Sequence, residues 1–301
     1  MAIPASSTPI VTKYDAWVLA SRPRTLAAAV VPVVIGTSIA VHDGVFNPLA
    51  ALIALICSLL IQIGTNLVND LFDFIRGSDK MNRIGPTRAT ASGLLTESEM
   101  KIGIYITFGL SFILGMYLVY VGGMFILFIG VISIIAGIAY TAGPFPLAYN
   151  GLGDIATFIF FGFAGTVGTY YAQSNTITPM SFWASVPVGA LITNILVVNN
   201  YRDREEDRSN GKNTLVVIFG ERFGRMQYLF FMILSYLTPV LVYFTFKKSI
   251  LIFLPLLSLP LSIRLIRMIF TLRGSELNKT LELTAKLSAI YGLLFAAGIL
   301  I

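Results

Sequence analysis

The chain has 301 residues, 56% hydrophobic and only 12% charged, with a mean hydropathy of +0.81 and a formal net charge of +6. This balance excludes an ordinary soluble domain, and continuous apolar runs without alternation exclude a β-barrel. The basic excess calls for no nucleic acid, because its distribution has a topological explanation.

The first sixteen residues, "MAIPASSTPIVTKYDA", hold no apolar stretch of the kind that a cleavable signal needs. The N-terminus is therefore expected to be kept, with the first span acting as the insertion signal. Apolar segments long enough to cross a hydrocarbon core of about 30 Å then follow. They cover 26–41, 48–66, 101–121, 123–142, 154–172, 181–199, 227–246, 250–270 and 286–301. With the N-terminus inside, every Lys and Arg except Lys247 and Lys248 falls on one side, so that face reads as cytoplasmic and the C-terminus as opposite.

The expected architecture is all-α and polytopic: nine transmembrane helices in one domain over 1–301, embedded in the cell membrane. Segment 1–25 and loops 67–100 and 200–226 are cytoplasmic, and the two loops are rich in both charge signs. "TESE" at 96–99 has the spacing of a capping box and starts the third span. "GPFPLAYNGLGD" at 143–154 reads as a turn-rich connection. Lone Cys57 and lone His42 form neither an intrachain disulfide nor a metal cluster and read as structural.

The chemistry is expected in the two charged loops, since unpaired acids beside apolar spans are costly. In "NLVNDLFDFIRGSDK" (66–80), Asn66 and Asp70 lie about 40° apart on a helix and Asp70 and Asp73 about 60°, so they share a face. The same arithmetic aligns Asn200, Asp203 and Asp207. This repeated pattern suggests two related halves facing each other across a cavity. Two carboxylate clusters at one depth repel unless cations sit between them, and Mg²⁺ suits carboxylates whose shell is completed by substrate phosphates. Arg22, Arg24, Arg76, Lys80, Arg88, Arg202 and Lys212 lie near the same span ends, where they suit phosphate oxygens.

Carboxylates, metal and cations together form an inventory for holding a diphosphate and stabilising its charge as the bond to carbon breaks. The plain alternative is that these are interface charges, with Arg202 and Asp203 merely neutralising one another. Two clusters on one membrane side favour the site. A diphosphate head above an apolar cavity suits an isoprenoid diphosphate. Most aromatic residues read as packing or anchors. Tyr140 alone is singled out to stabilise an allylic cation, with a simple interfacial anchor as its alternative.

Five ordered motifs, "SRPRTL" (21–26), "NLVNDLFDFIRGSD" (66–79), "GPTRATASGLL" (85–95), "YTAGPFPLAYNGLGD" (140–154) and "NNYRDREEDRSNGKNTL" (199–215), carry a family resemblance over nearly the whole chain. The sequence resembles the UbiA-type intramembrane aromatic prenyltransferases, most of all those acting on 1,4-dihydroxy-2-naphthoate in menaquinone biosynthesis. The resemblance implies a nine-helix bundle around a central cavity, capped by the charged loops. It assigns Asn66, Asp70, Asp73, Asp203 and Asp207 to two Mg²⁺ ions bridging the diphosphate. Arg22, Asn66, Lys80, Arg88, Asn200, Arg202 and Lys212 become diphosphate partners, Asp79 an additional acid, and Tyr140 the cation stabiliser.

Asp154 ends a motif without an assignable role. The implied reaction transfers a polyprenyl group from its diphosphate to dihydroxynaphthoate with loss of carbon dioxide, giving demethylmenaquinone, in a membrane-lipid setting and without nucleic acid. Leu71, where the naphthoate group often has Tyr, and Ala142-Gly143, where Gly-Gly is common, depart from the pattern and bear on acceptor or tail preference. Two alternatives remain at this point. One is a relative with another acceptor (4-hydroxybenzoate or homogentisate) or a phytyl donor; the other is a carrier for lipid phosphates or anions, disfavoured because carriers bind near the midplane.

Overall fold

The computed structural model describes residues 12–78 and 85–301. A capping box formed by Thr12 and Asp15 starts α1 (Lys13–Ser21), a short helix not anticipated within the 1–25 segment. Arg22, at φ 51, turns the chain into α2 (Pro23–His42), which has proline at its first position, where no amide hydrogen is needed. α3 (Pro48–Ile75) starts at Asn47, which caps the Ala50 amide.

The expected box of Thr96 and Glu99 opens α4 (Glu97–Ala139), which has 43 residues. A straight helix of that length would run about 64 Å, twice the hydrocarbon thickness. Instead it doubles back at Gly123, whose φ 70 and ψ −168 belong to a region essentially restricted to glycine. The fold-back brings Phe108 of the first arm against Gly137 of the second and Gly64 of α3. The third and fourth expected spans are thus two arms of one hairpin. Among the described residues, eight helices are long and apolar enough to cross a membrane, this hairpin counted as one.

α5 (Gly153–Ser174) contains a π-helical stretch at Phe158–Ala164. α6 (Pro179–Arg202) runs through the middle of the bundle and buries most of its residues. Two short helices, α7 (Arg204–Ser209) and α8 (Leu215–Phe219), lead to α9 (Glu221–Phe246). α10 (Ile250–Thr271) and α11 (Leu277–Leu300) complete the chain. Ile35, Leu191, Tyr228, Tyr291 and Phe295 form the centre of the largest buried cluster. Large apolar side chains such as Tyr105, Ile113, Phe128, Leu237 and Phe244 point outward, as expected of a multi-pass membrane protein whose solvent is lipid.

Helix ends differ from the hydropathy boundaries. Residues 67–75, expected within a loop, continue α3; α6 reaches Arg202; and α11 begins nine residues before position 286. Hydropathy measures apolar length, whereas these helices continue with polar residues turned inward: Asn66, Asp70 and Asp73 are all buried. Asp203 ends α6 at φ −93 and ψ 7, so Asp207 stands on α7 rather than on a continuous helix with Asn200.

Candidate functional site

A cavity of about 1340 Å³ opens through the bundle, with Asp73, Arg88, Tyr140, Asn200 and Lys212 on its wall at one end. Its deeper walls are mostly aliphatic and small residues of α2, α3, α4 and α5, and the π-helical stretch contributes Phe160, Phe161 and Ala164. Phe112 and Tyr140 are further aromatic residues on this wall, and most other aromatic side chains pack elsewhere or face outward.

The first acidic group is carried by the end of α3. Asp70 is 1% exposed and accepts the amides of Ala89 and Thr90 at 3.0 and 2.9 Å, one on each carboxylate oxygen. It therefore anchors the loop that presents Arg88. Asp73 faces the cavity, with Arg88 Nη2 at 3.7 Å and the Tyr149 hydroxyl donating to Oδ1 at 2.8 Å. Asn66 donates to the Ser21 carbonyl at 2.9 Å and to the Thr25 hydroxyl at 3.0 Å, tying α3 to the α1–α2 junction. Arg22 stands at that junction on the cavity wall. Asp79 and Lys80 lie outside the described residues.

The second group is held by α6 and α7. Arg202 donates to both oxygens of Asp203, from Nε at 2.6 Å and Nη2 at 2.7 Å, and also to Asn278 at 2.7 Å and Asn199 at 2.8 Å. With its side chain 1% exposed, this guanidinium is a fixed strut whose charge is matched inside the protein. Asp207 meets Lys212 Nζ at 3.7 Å through Oδ1, while Oδ2 is buried without a hydrogen-bond partner among the described residues. Burial pushes the Asp207 carboxyl up to about 6; Lys212 opposes the shift, and Asp203 and Asp73 add to it.

Tyr149 joins the halves. Its hydroxyl reaches Asp73 and Ser78, its carbonyl accepts the Asn213 amide at 3.0 Å, and Arg76 and Lys212 lie over its ring at 5.1 and 5.5 Å. Asn210 adds a bond to the Ser78 carbonyl at 3.0 Å. Burial, reinforced by the Asp73 charge, raises the Tyr149 hydroxyl well above its ordinary pKa, so it stays a donor. Sequence reasoning missed Tyr149, although it lies within a quoted motif, and missed Asn278, for which position alone gave no signal. The departures Leu71 and Ala142 are buried away from the cavity wall.

The pattern of the UbiA prenyltransferase family matches residues 29–290. The chain belongs to this family. A 1,4-dihydroxy-2-naphthoate octaprenyltransferase of Escherichia coli (strain K12) is 38% identical over 300 residues, covering 96% of each chain. Among solved UbiA-fold structures, a UbiA homolog from Aeropyrum pernix K1 superposes with a TM-score of 0.70 at 12% identity, over 91% of this chain and 97% of that one. A UbiA homolog from Archaeoglobus fulgidus bound to DMAPP and Mg²⁺ gives 0.63 at 14% identity, over 93% and 99%.

Within this UbiA chain the donor set suits a hard divalent cation. Among the described residues no three acidic, His or Cys side chains converge into a ready cage. Mg²⁺ needs none, since it takes one or two carboxylates and leaves the rest of its shell to water and phosphate. Asp207 Oδ2, buried and without a donor among the described residues, is the observation that fits such an ion.

Proposed function

We propose that this protein transfers a polyprenyl group from its diphosphate to 1,4-dihydroxy-2-naphthoate, with loss of carbon dioxide, giving demethylmenaquinone. The observation that carries the reading is an apolar cavity with Asp73 of α3 on its wall and with Asp203 and Asp207 of the α6–α7 group against the wall residues Arg202 and Lys212, in a UbiA chain that aligns over 96% of its length with a relative named 1,4-dihydroxy-2-naphthoate octaprenyltransferase. Mg²⁺ bound there supplies Lewis acidity to the departing diphosphate.

Asp73, Asp203 and Asp207, with Asn66 and Asp70 behind them, hold the metal. Arg88 and Lys212 rest on carboxylates at 3.7 Å, longer than a hydrogen bond, and turn to phosphate oxygens when substrate arrives. Arg22 and Asn200 extend that cradle; Lys80 is proposed as a further phosphate partner and Asp79 as an additional acid, both outside the described residues. Arg202 acts chiefly by holding Asp203. Tyr140, on the wall below, turns its ring to the allylic cation. The apolar cavity keeps water from that cation until the acceptor ring attacks. The one-sided distribution of Lys and Arg supports an orientation with the acidic end on the cytoplasmic face of the cell membrane.

An acceptor panel tests the assignment, using vesicle-reconstituted protein, Mg²⁺ and one long-chain prenyl diphosphate. Prenylated, decarboxylated product from dihydroxynaphthoate is expected. Turnover of 4-hydroxybenzoate or homogentisate with none of dihydroxynaphthoate would replace the acceptor, and movement of substrate without release of diphosphate would replace the enzyme with a carrier.

A further inference from the structure

Two cations on the cavity wall, Arg24 of α2 and Lys286 of α11, make no ion pair with the acidic residues among the described residues, so Arg24, grouped by sequence with the phosphate-suited cations, stands apart from Arg88 and Lys212, which rest on Asp73 and Asp207. Arg24 and Lys286 are both exposed, and neither makes an ion pair or hydrogen bond among the described residues. Their relative height follows from the packing of their helices. α2 and α11 both start at the acidic end, where Ser21 accepts from Asn66 and Asn278 accepts from Arg202, so they run parallel. They touch at Gly292, where a Cβ would lie 2.6 Å from Val31 Cγ1.

Lys286 stands six residues before that contact and Arg24 seven, rises of about 9 and 10.5 Å. The two cations therefore flank the α2–α11 seam at nearly one height, at the edge of the apolar spans. Helical side chains lean toward their helix N-terminus, which raises the Lys286 ammonium toward the acidic end. The acids on the same wall are already engaged: Glu282 with Lys279 at 3.4 Å, and Asp15 in the α1 cap. Glu282 and Lys286, at favourable i,i+4 spacing, make no pair among the described residues.

We infer that Arg24 and Lys286 form a two-point clasp for the carboxylate of the aromatic acceptor as it enters the cavity between α2 and α11. The inference rests on the reading that the acceptor is an aromatic carboxylate. Such a molecule is flat and apolar with one anionic edge, and it settles where the membrane edge meets water. A guanidinium on one helix and an ammonium on the next hold that edge while the rings pass to the apolar wall. The diphosphate, bearing more charge, is met by the carboxylate, metal and cation set higher up. Donor and acceptor are thereby recognised by different cations.

The test uses full-length protein in zwitterionic vesicles, with fluorescent 1-hydroxy-2-naphthoate as the acceptor probe and Mg²⁺ with inorganic diphosphate as the donor-site probe. Arg24→Gln and Lys286→Met are each expected to weaken naphthoate binding about tenfold, the usual effect of losing a hydrogen bond to a charged group. Diphosphate binding should stay within about twofold. Lys286→Arg should restore naphthoate binding, and the methyl ester of the probe should bind wild type and the double variant alike. Unchanged naphthoate binding in both variants, or an equal loss of diphosphate binding, overturns the clasp. So does a loss seen only when anionic lipid is added, which would assign the cations to lipid headgroups. Because these are binding measurements, a wild type that binds the naphthoate probe but fails to prenylate 1,4-dihydroxy-2-naphthoate refutes the proposed function and leaves the clasp standing.

Discussion

Tyr149 donates its hydroxyl hydrogen to Asp73 Oδ1 at 2.8 Å, and the Ser78 hydroxyl oxygen lies 2.7 Å from the Tyr149 hydroxyl oxygen. A residue from the connection after the α4 hairpin thereby sets the orientation of a carboxylate on α3. Removing this hydroxyl leaves Asp73 free to swing toward Arg88. Tyr149→Phe is expected to raise the Mg²⁺ concentration for half-maximal turnover by about tenfold or more, the usual cost of losing a partner behind a metal ligand. A Mg²⁺ titration of the rate measures it, and an unchanged midpoint would separate Tyr149 from metal binding.

Asp70 offers a test of anchoring against ligation. Asp70→Ala removes two amide bonds to a buried charge, worth about 1.5–3 kcal/mol each. It should loosen the loop carrying Arg88, exposing 85–92 to protease, and lower turnover by about 100-fold or more. Asp70→Asn keeps an acceptor oxygen and should stay largely protease-resistant. Near-normal turnover in Asp70→Asn would make Asp70 an anchor only.

The α4 hairpin depends on Gly123. Gly123→Ala places a Cβ in a backbone region essentially closed to other residues, at a cost of about 1–3 kcal/mol. A lower thermal midpoint in detergent is the expected readout, with residual turnover per folded molecule unchanged because the site lies at the opposite end of both arms.

Metal and diphosphate binding should appear as stability. Mg²⁺ with inorganic diphosphate at about 100 times its Kd should stabilise wild type by about 2.7 kcal/mol. Asp207→Asn removes an anionic ligand and should lose most of that gain while leaving the metal-free protein at least as stable, since a buried carboxylate short of donors no longer needs its charge. Chelation should abolish turnover in wild type. An Asp207→Asn protein stabilised as much as wild type would remove Asp207 from the metal set.

The sequence by itself determined that this is a helical membrane protein with its acids gathered at span ends, because hydropathy, charge asymmetry and the 3.6-residue period are local properties of the chain. The Thr96 capping box was legible for the same reason, as was the shared face of Asn66, Asp70 and Asp73. Only the tertiary structure decided how those residues divide the work: Asp70 turned to loop amides, Asp73 to the cavity, Arg202 locked by Asp203 and Asn278. It also decided that Asp207 stands on its own short helix and that Tyr149 bridges the halves. The Tyr149–Asp73 and Arg202–Asn278 contacts each join residues 76 positions apart, and even the Asp70–Ala89 contact spans 19, so their meeting depends on how the helices and loops pack and no local periodicity encodes it.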